Sequence, residues 1–142
     1  MKPHHLEAQI REAFQYRKKV LTLEYLVVDS DCIECREAFA GYSWKDLEPV
    51  QAVKGFDCID FFEPEDAFEV IAAWLIASLR FPTENVAYWT ISNLRDNYEA
   101  YAKMACPAER QAIVKFLCNS RDATSDPGLE LIEGLKLWGS NV

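Results

Sequence analysis

Between Glu69 and Arg80 the chain runs through ten residues, VIAAWLIASL, with no charge and a single hydroxyl. This stretch is too short to cross a bilayer, which takes roughly 20 apolar residues. Its flanks read as helix ends. Pro64 fits a first helical turn, where its missing N–H costs nothing. Glu63, Glu65 and Asp66 stand where the helix dipole favours negative charge, and Arg80 stands at the opposite end. Pro82 follows as a stop. A helix over residues 64–80 would put Phe68, Ile71, Leu75 and Leu79 on one face and Val70, Trp74 and Ala77 on another. Such a helix is apolar on every side and belongs at the centre of its fold. The rest of the chain must then cover it.

The remaining segments supply that cover. Leu6, Ile10, Ala13 and Phe14 recur at helical spacing near the N-terminus. Asp31 followed by Glu34 resembles a capping box opening a helix that stops at Gly41. The stretch around Trp44 to Gly55 reads as a turn or short helix with Pro49 near one end. Pro107 opens a helix with Ala112, Ile113, Phe116 and Leu117 on one face. A last helix, capped by Asp126 with Pro127 in its first turn, would dock Leu131, Ile132, Leu135 and Trp138. Two stretches stay open. Residues 20–28 suit a short strand or an extension of the first helix, and residues 85–94 suit a strand, a helix or a packed loop. The expectation is a mostly α, compact single-domain bundle of residues 1–142 around a buried central helix at about 64–80, with one small strand pair left open.

Charge narrows the partner classes. The net charge is −8. Residues 1–23 carry +3, residues 24–69 carry −10, and residues 70–142 carry −1. Nucleic-acid phosphates would be repelled by that middle segment, so nucleic acid is not an expected ligand. A basic protein is an expected one. The N-terminus shows no apolar leader, and the five cysteines are odd in number and irregularly spaced. These features fit reduced thiols in a soluble, cytoplasmic protein rather than a secreted disulfide framework.

Candidate chemistry is sparse. Cys32 and Cys35 form the one Cys-x-x-Cys, at a helix start where N–H groups stabilise a thiolate. Asp29, Asp31, Glu34 and Glu37 surround it, and negative neighbours raise a thiol pKa. Zinc would need a second ligand pair, which Cys58, Cys106, Cys118, His4 and His5 do not supply at the usual spacing. The expected arrangement is structural, with Cys35 packed inward and Cys32 half exposed. The acids of the Asp57–Asp66 stretch (Asp57, Asp60, Glu63, Glu65, Asp66) admit an acid–base or metal role, against the ordinary preference of helix starts for carboxylates. No phosphate loop, calcium loop or nucleophile motif is legible, and no cofactor or metal set is expected. Phe56, Phe61, Phe62, Trp74, Tyr88 and Trp89 read as core. Tyr42, Trp44, Tyr98 and Tyr101 lie on more polar segments and are candidate interface anchors.

Three stretches resemble a family of small bacterial proteins of unknown function. They are Glu-x-x-x-Ala-Phe-x-Gly-x-x-Trp at Glu34–Trp44, Phe-Phe-x-Pro-Glu-x-x-Phe at Phe61–Phe68, and Pro-x-x-Arg-x-Ala-Ile-x-x-Phe-Leu at Pro107–Leu117. The chain departs from the family at Cys106, where threonine is frequent, and inside the central helix, where tyrosines and a proline are frequent. The resemblance implies a compact bacterial cytoplasmic domain and carries no activity. Composition and resemblance together suggest a non-enzymatic binding module, an immunity protein or antitoxin-like inhibitor of a basic toxin. Glu34, Glu37, Tyr42, Trp44, Asp46 and Glu48 are its expected contact residues. The alternatives are an enzyme or metal-binding protein using the Asp57–Asp66 acids, and a thiol redox protein using Cys32 and Cys35.

Overall fold

A computed structural model describes residues 3–140 of the chain. The described residues form eight α-helices: α1 (Pro3–Ala13), α2 (Ser30–Phe39), α3 (Pro49–Lys54), α4 (Pro64–Arg80), α5 (Asn85–Asp96), α6 (Tyr98–Met104), α7 (Pro107–Asp122) and α8 (Gly128–Gly139). Short 3₁₀ turns sit at Trp44–Asp46 and Cys58–Asp60. No strand occurs among the described residues, and no helix among them is long and apolar enough to cross a membrane.

α4 is the central helix that its uncharged run requires. Every residue from Ala67 to Ser78 except Glu69 is buried. α1, α3, α5, α6 and both 3₁₀ turns pack against it, while α7 and α8 close the bundle over α1 and α5. Trp74 is fully buried. Its ring lies 5.2 Å from that of Phe39 and 6.1 Å from that of Phe62.

Apolar burial would be costly if it stranded polar groups. α4 and α5 avoid that through Ser78, whose hydroxyl donates to the carbonyl of Trp74 at 2.7 Å and meets the Thr90 hydroxyl at 3.1 Å. Three indoles act on helix ends, where carbonyls lack intrahelical partners. Trp44 Nε1 donates to the carbonyl of Phe14 beyond α1 at 3.0 Å. Trp74 Nε1 donates to that of Phe56 beyond α3 at 3.1 Å. Trp138 Nε1 donates to that of Leu94 in the last turn of α5 at 2.9 Å.

Residues 20–28, open between strand and helix in the sequence, are an irregular loop. Leu23 adopts φ +54 and turns the chain, which ends any extended run. Two backbone bonds, Leu21 N–H to Tyr42 O at 3.0 Å and Gly41 N–H to Leu21 O at 2.8 Å, tie the loop to the segment after α2. Residues 85–94 are helical, within α5. α2 is capped by Asp29, whose carboxylate accepts the Cys32 N–H at 2.8 Å, not by the Asp31–Glu34 pair. α8 starts at Gly128, two residues beyond the expected Asp126 cap, and its Ile132 is 42% exposed. Phe61 and Tyr88, read as core, are exposed, whereas Tyr101, read as an anchor candidate, is fully buried.

Replacing Trp74 with Ala is expected to destabilise the fold by about 3–5 kcal/mol, because it removes a large buried ring and opens a cavity where α2, α3 and α4 meet. Denaturant unfolding of Trp74→Ala beside the parent chain measures this, and a midpoint shift near zero would contradict the placement of α4.

Candidate functional site

Only glycine lets the end of α3 approach α2 as closely as it does. A Cβ added at Gly55 would meet the Phe39 ring at 2.6 Å. That approach brings Cys58, three residues later, to Cys35 in the middle of α2. The two form a disulfide with Cα atoms 5.6 Å apart, inside the usual range. The expectation of five reduced thiols is therefore corrected, and so is the picture of Cys35 as a small packed hydrophobe. The Cys-x-x-Cys does not pair with itself. Cys35 is joined across 23 residues to Cys58, and in the chain-entropy account closing such a loop contributes about 3 kcal/mol. Cys32, Cys106 and Cys118 are free. Cys32 is buried rather than half exposed. Burial first, then the Asp29 carboxylate, pushes its thiol above the usual range.

Above the disulfide lies an open cleft of about 420 Å³ between α2 on one side and α3 with the second 3₁₀ turn on the other. Asp31, Glu34 and Asp57 bring carboxylates to it, Lys54 brings its one cation, and Phe39 and Phe61 give apolar wall. Among the described residues, none of the three carboxylates forms an ion pair. Phe61 is 36% exposed and presents ring surface at the opening.

The six expected contact residues divide. Glu34 faces the cleft. Glu37, Asp46 and Glu48 are exposed but lie outside its lining. Asp46 accepts the Ser43 hydroxyl at 3.0 Å, and Gln51 in turn accepts the Glu48 N–H at 2.7 Å, so both positions serve local turns. Tyr42 is half-buried against the core. Trp44 is 3% exposed with its indole N–H bonded to Phe14. It is a structural staple and not an anchor. Its polar neighbours in sequence belong to a turn whose tryptophan points inward.

The Asp57–Asp66 acids do not converge. Asp57 faces the cleft. Asp60 accepts a hydrogen bond from Asn93 Nδ2 at 2.6 Å, and Asn93 accepts one from the Tyr101 hydroxyl at 2.5 Å. Glu63 and Glu65 are exposed. Asp66 is buried and takes Lys19 Nζ at 2.7 Å and the Tyr25 hydroxyl at 2.6 Å. Among the described residues no group of three or more His, Cys, Asp or Glu is arranged to hold a metal ion. Cys58 and its pairing are what the sequence reading missed. Cysteines 23 residues apart follow no spacing rule, and the one local signal was Gly55.

Asp60 generates a pH prediction. Desolvation raises its carboxyl above the usual value, the Asn93 bond opposes this, and the Asp96 and Asp57 charges add to the rise. The folded state thus holds the Asp60 proton more tightly than the unfolded chain does. Its contribution to stability is greatest at low pH and declines as pH climbs from the ordinary 3.8 through the folded value. Asp60→Asn keeps an acceptor for Asn93 and removes the charge. A higher Tm than the parent is expected at pH 7, with the difference closing as pH falls below that ordinary value. Thermal melts across the acid range check this, and a lower Tm at pH 7 would refute it.

A scan against models of protein families gives no match for this chain, and searches of curated proteins and of solved structures likewise give none.

Proposed function

We propose that the protein is a non-enzymatic binding module whose cleft receives basic side chains of a partner protein, in the manner of an immunity protein or an antitoxin-like inhibitor of a basic toxin. One observation carries this reading. Asp31, Glu34 and Asp57 share one open cleft and are not neutralised by ion pairs among the described residues. An arginine or lysine entering there would lay its stem along Phe61 and Phe39 and its charge among the carboxylates, as amphipathic side chains do at apolar surfaces with charged rims. Charge of this kind acts mainly on encounter rate and on the choice of partner. Glu37, Asp46 and Glu48 would add only to the long-range field.

The experiment is capture from the native host with the parent chain and with a Glu34→Lys, Asp57→Lys variant. A basic protein should be retained by the parent and lost by the variant. Its association should slow several-fold at low salt and much less at high salt, where the Debye length shrinks below about 8 Å. Reversal of Glu37 and Glu48 should slow it less. An acidic partner, or equal retention by both chains, would overturn the reading.

A further inference from the structure

A second cavity, of about 510 Å³, lies between two helical corners, the α4–α5 turn and the α7–α8 turn, and shares no residue with the acidic cleft. Its size suits a small organic molecule. Its apolar wall is continuous with the core: Leu131 is buried, and Leu79 and Ile91 are partly buried against the core cluster. None of its thirteen lining residues is charged, in a chain of which 27% is charged. Most of the polar lining already has partners. Ser78 and Ser120 donate their hydroxyl hydrogens to the carbonyls of Trp74 and Phe116 at 2.7 and 3.0 Å. The Tyr88 hydroxyl meets Glu130 at 3.4 Å, and Thr124 accepts the Asp126 N–H at 3.2 Å. Two groups differ. The side chains of half-buried Asn119 and exposed Thr83 form no hydrogen bond among the described residues.

We propose that this cavity binds a small uncharged molecule with an aliphatic body and an amide head, the body against Leu79, Ile91 and Leu131 and the head on Asn119. An asparagine side chain offers both a donor and an acceptor, so a primary amide pairs with it through one N–H···O bond in each direction. A carboxylate or an ammonium brought to the same place gives up water and finds no opposite charge in the lining to replace it, which penalises charged relatives of the same ligand. The apolar wall supplies affinity and the amide supplies selectivity, the usual division of roles in small-molecule sites. The cavity needs neither the acidic cleft nor a protein partner, so it is tested apart from the recognition role.

The test uses the full chain and three eight-carbon probes that differ in the head: octanamide (neutral), octanoate (anionic) and octylamine (cationic at pH 7). Titrations are followed by the NMR shifts of the backbone amides. Octanamide should give saturable shifts at residues 78–91 and 119–131 and none around Cys35 and Cys58. The two charged probes should bind there about tenfold more weakly, since each loses hydration without a counter-charge. Asn119→Leu keeps the volume and removes the amide, so octanamide should bind it about tenfold more weakly, the scale of one or two lost hydrogen bonds. Asn119→Asp should reverse the order in favour of octylamine. Ala87→Trp should fill the cavity and abolish binding of all three. If that variant does not fold, the reversal at Asn119 decides. No saturable shift with octanamide, equal affinity for the three heads, an order unmoved by Asn119→Asp, or shifts centred on the acidic cleft would each overturn the proposal.

Discussion

A helix without a polar face has to be covered on all sides, and that requirement of α4 organises the molecule. The cover is made of short helices, and short helices have a high proportion of unpaired end groups. This explains why tryptophan is used as it is. An indole fills space beside α4 or between outer helices, and its single N–H reaches a backbone carbonyl at or just beyond a helix end. Trp44, Trp74 and Trp138 do this for α1, α3 and α5. Packing and polar satisfaction are solved by the same side chains here, beside the buried Ser78–Thr90 contact and the Tyr101–Asn93 pair.

The acidic N-terminal half of α4 serves a second purpose. Arg17 follows α1 and reaches three elements at once. It forms a bidentate pair with Glu109 at 2.6 and 2.9 Å, bonds Glu69 at 3.0 Å and the carbonyl of Met104 at 2.8 Å, and lies 4.7 Å over the Phe68 ring. Glu109 also accepts the N–H of Cys106 at the start of α7. Lys19 and Tyr25 hold Asp66 in the same region. Such pairs fix arrangement more than they add stability, because desolvation offsets much of the Coulomb gain. Their role here is to pin the irregular stretch from Arg17 to Tyr25 onto α4, in the absence of sheet or helix to do it.

These features separate what the residues disclose from what they do not. α4, α7 and the inward face of α1 were legible because apolar spacing, proline starts and end charges agree with one another. Residues 20–28 were not, because β-branched composition favours a strand while tertiary ion pairs and the left-handed Leu23 impose a loop. Trp44 was misread because polar neighbours say nothing about which way one ring turns. The acids at the start of α4 looked alike in sequence and differ entirely in space: Asp66 is paired inside, Asp60 turns to Asn93, and Asp57 faces open solvent. The cysteine pairing depended on Gly55 admitting Phe39, a contact between segments that no local rule connects.

The same contact explains where the cleft lies. Phe39 touches Trp74 and Phe62 on its inner side and Gly55 on its outer side, so the wall of the cleft continues directly into the packing around α4. Residues 24–69 carry thirteen acids, and the fold engages several of them: Asp29 caps α2, Asp46 bonds Ser43, Asp60 bonds Asn93, and Asp66 and Glu69 pair with Lys19 and Arg17. Folding therefore sorts the charge. Asp66 and Glu69 in the N-terminal half of α4 are neutralised by Lys19 and Arg17 of the basic segment after α1. Asp31 and Glu34 on α2 and Asp57 beside Cys58 lie around the opening, where the only cation in the lining is Lys54. Asp31, Glu34 and Asp57, which none of these pairings engages, thus share one aperture with an exposed ring, beside the helix that packs least against the others.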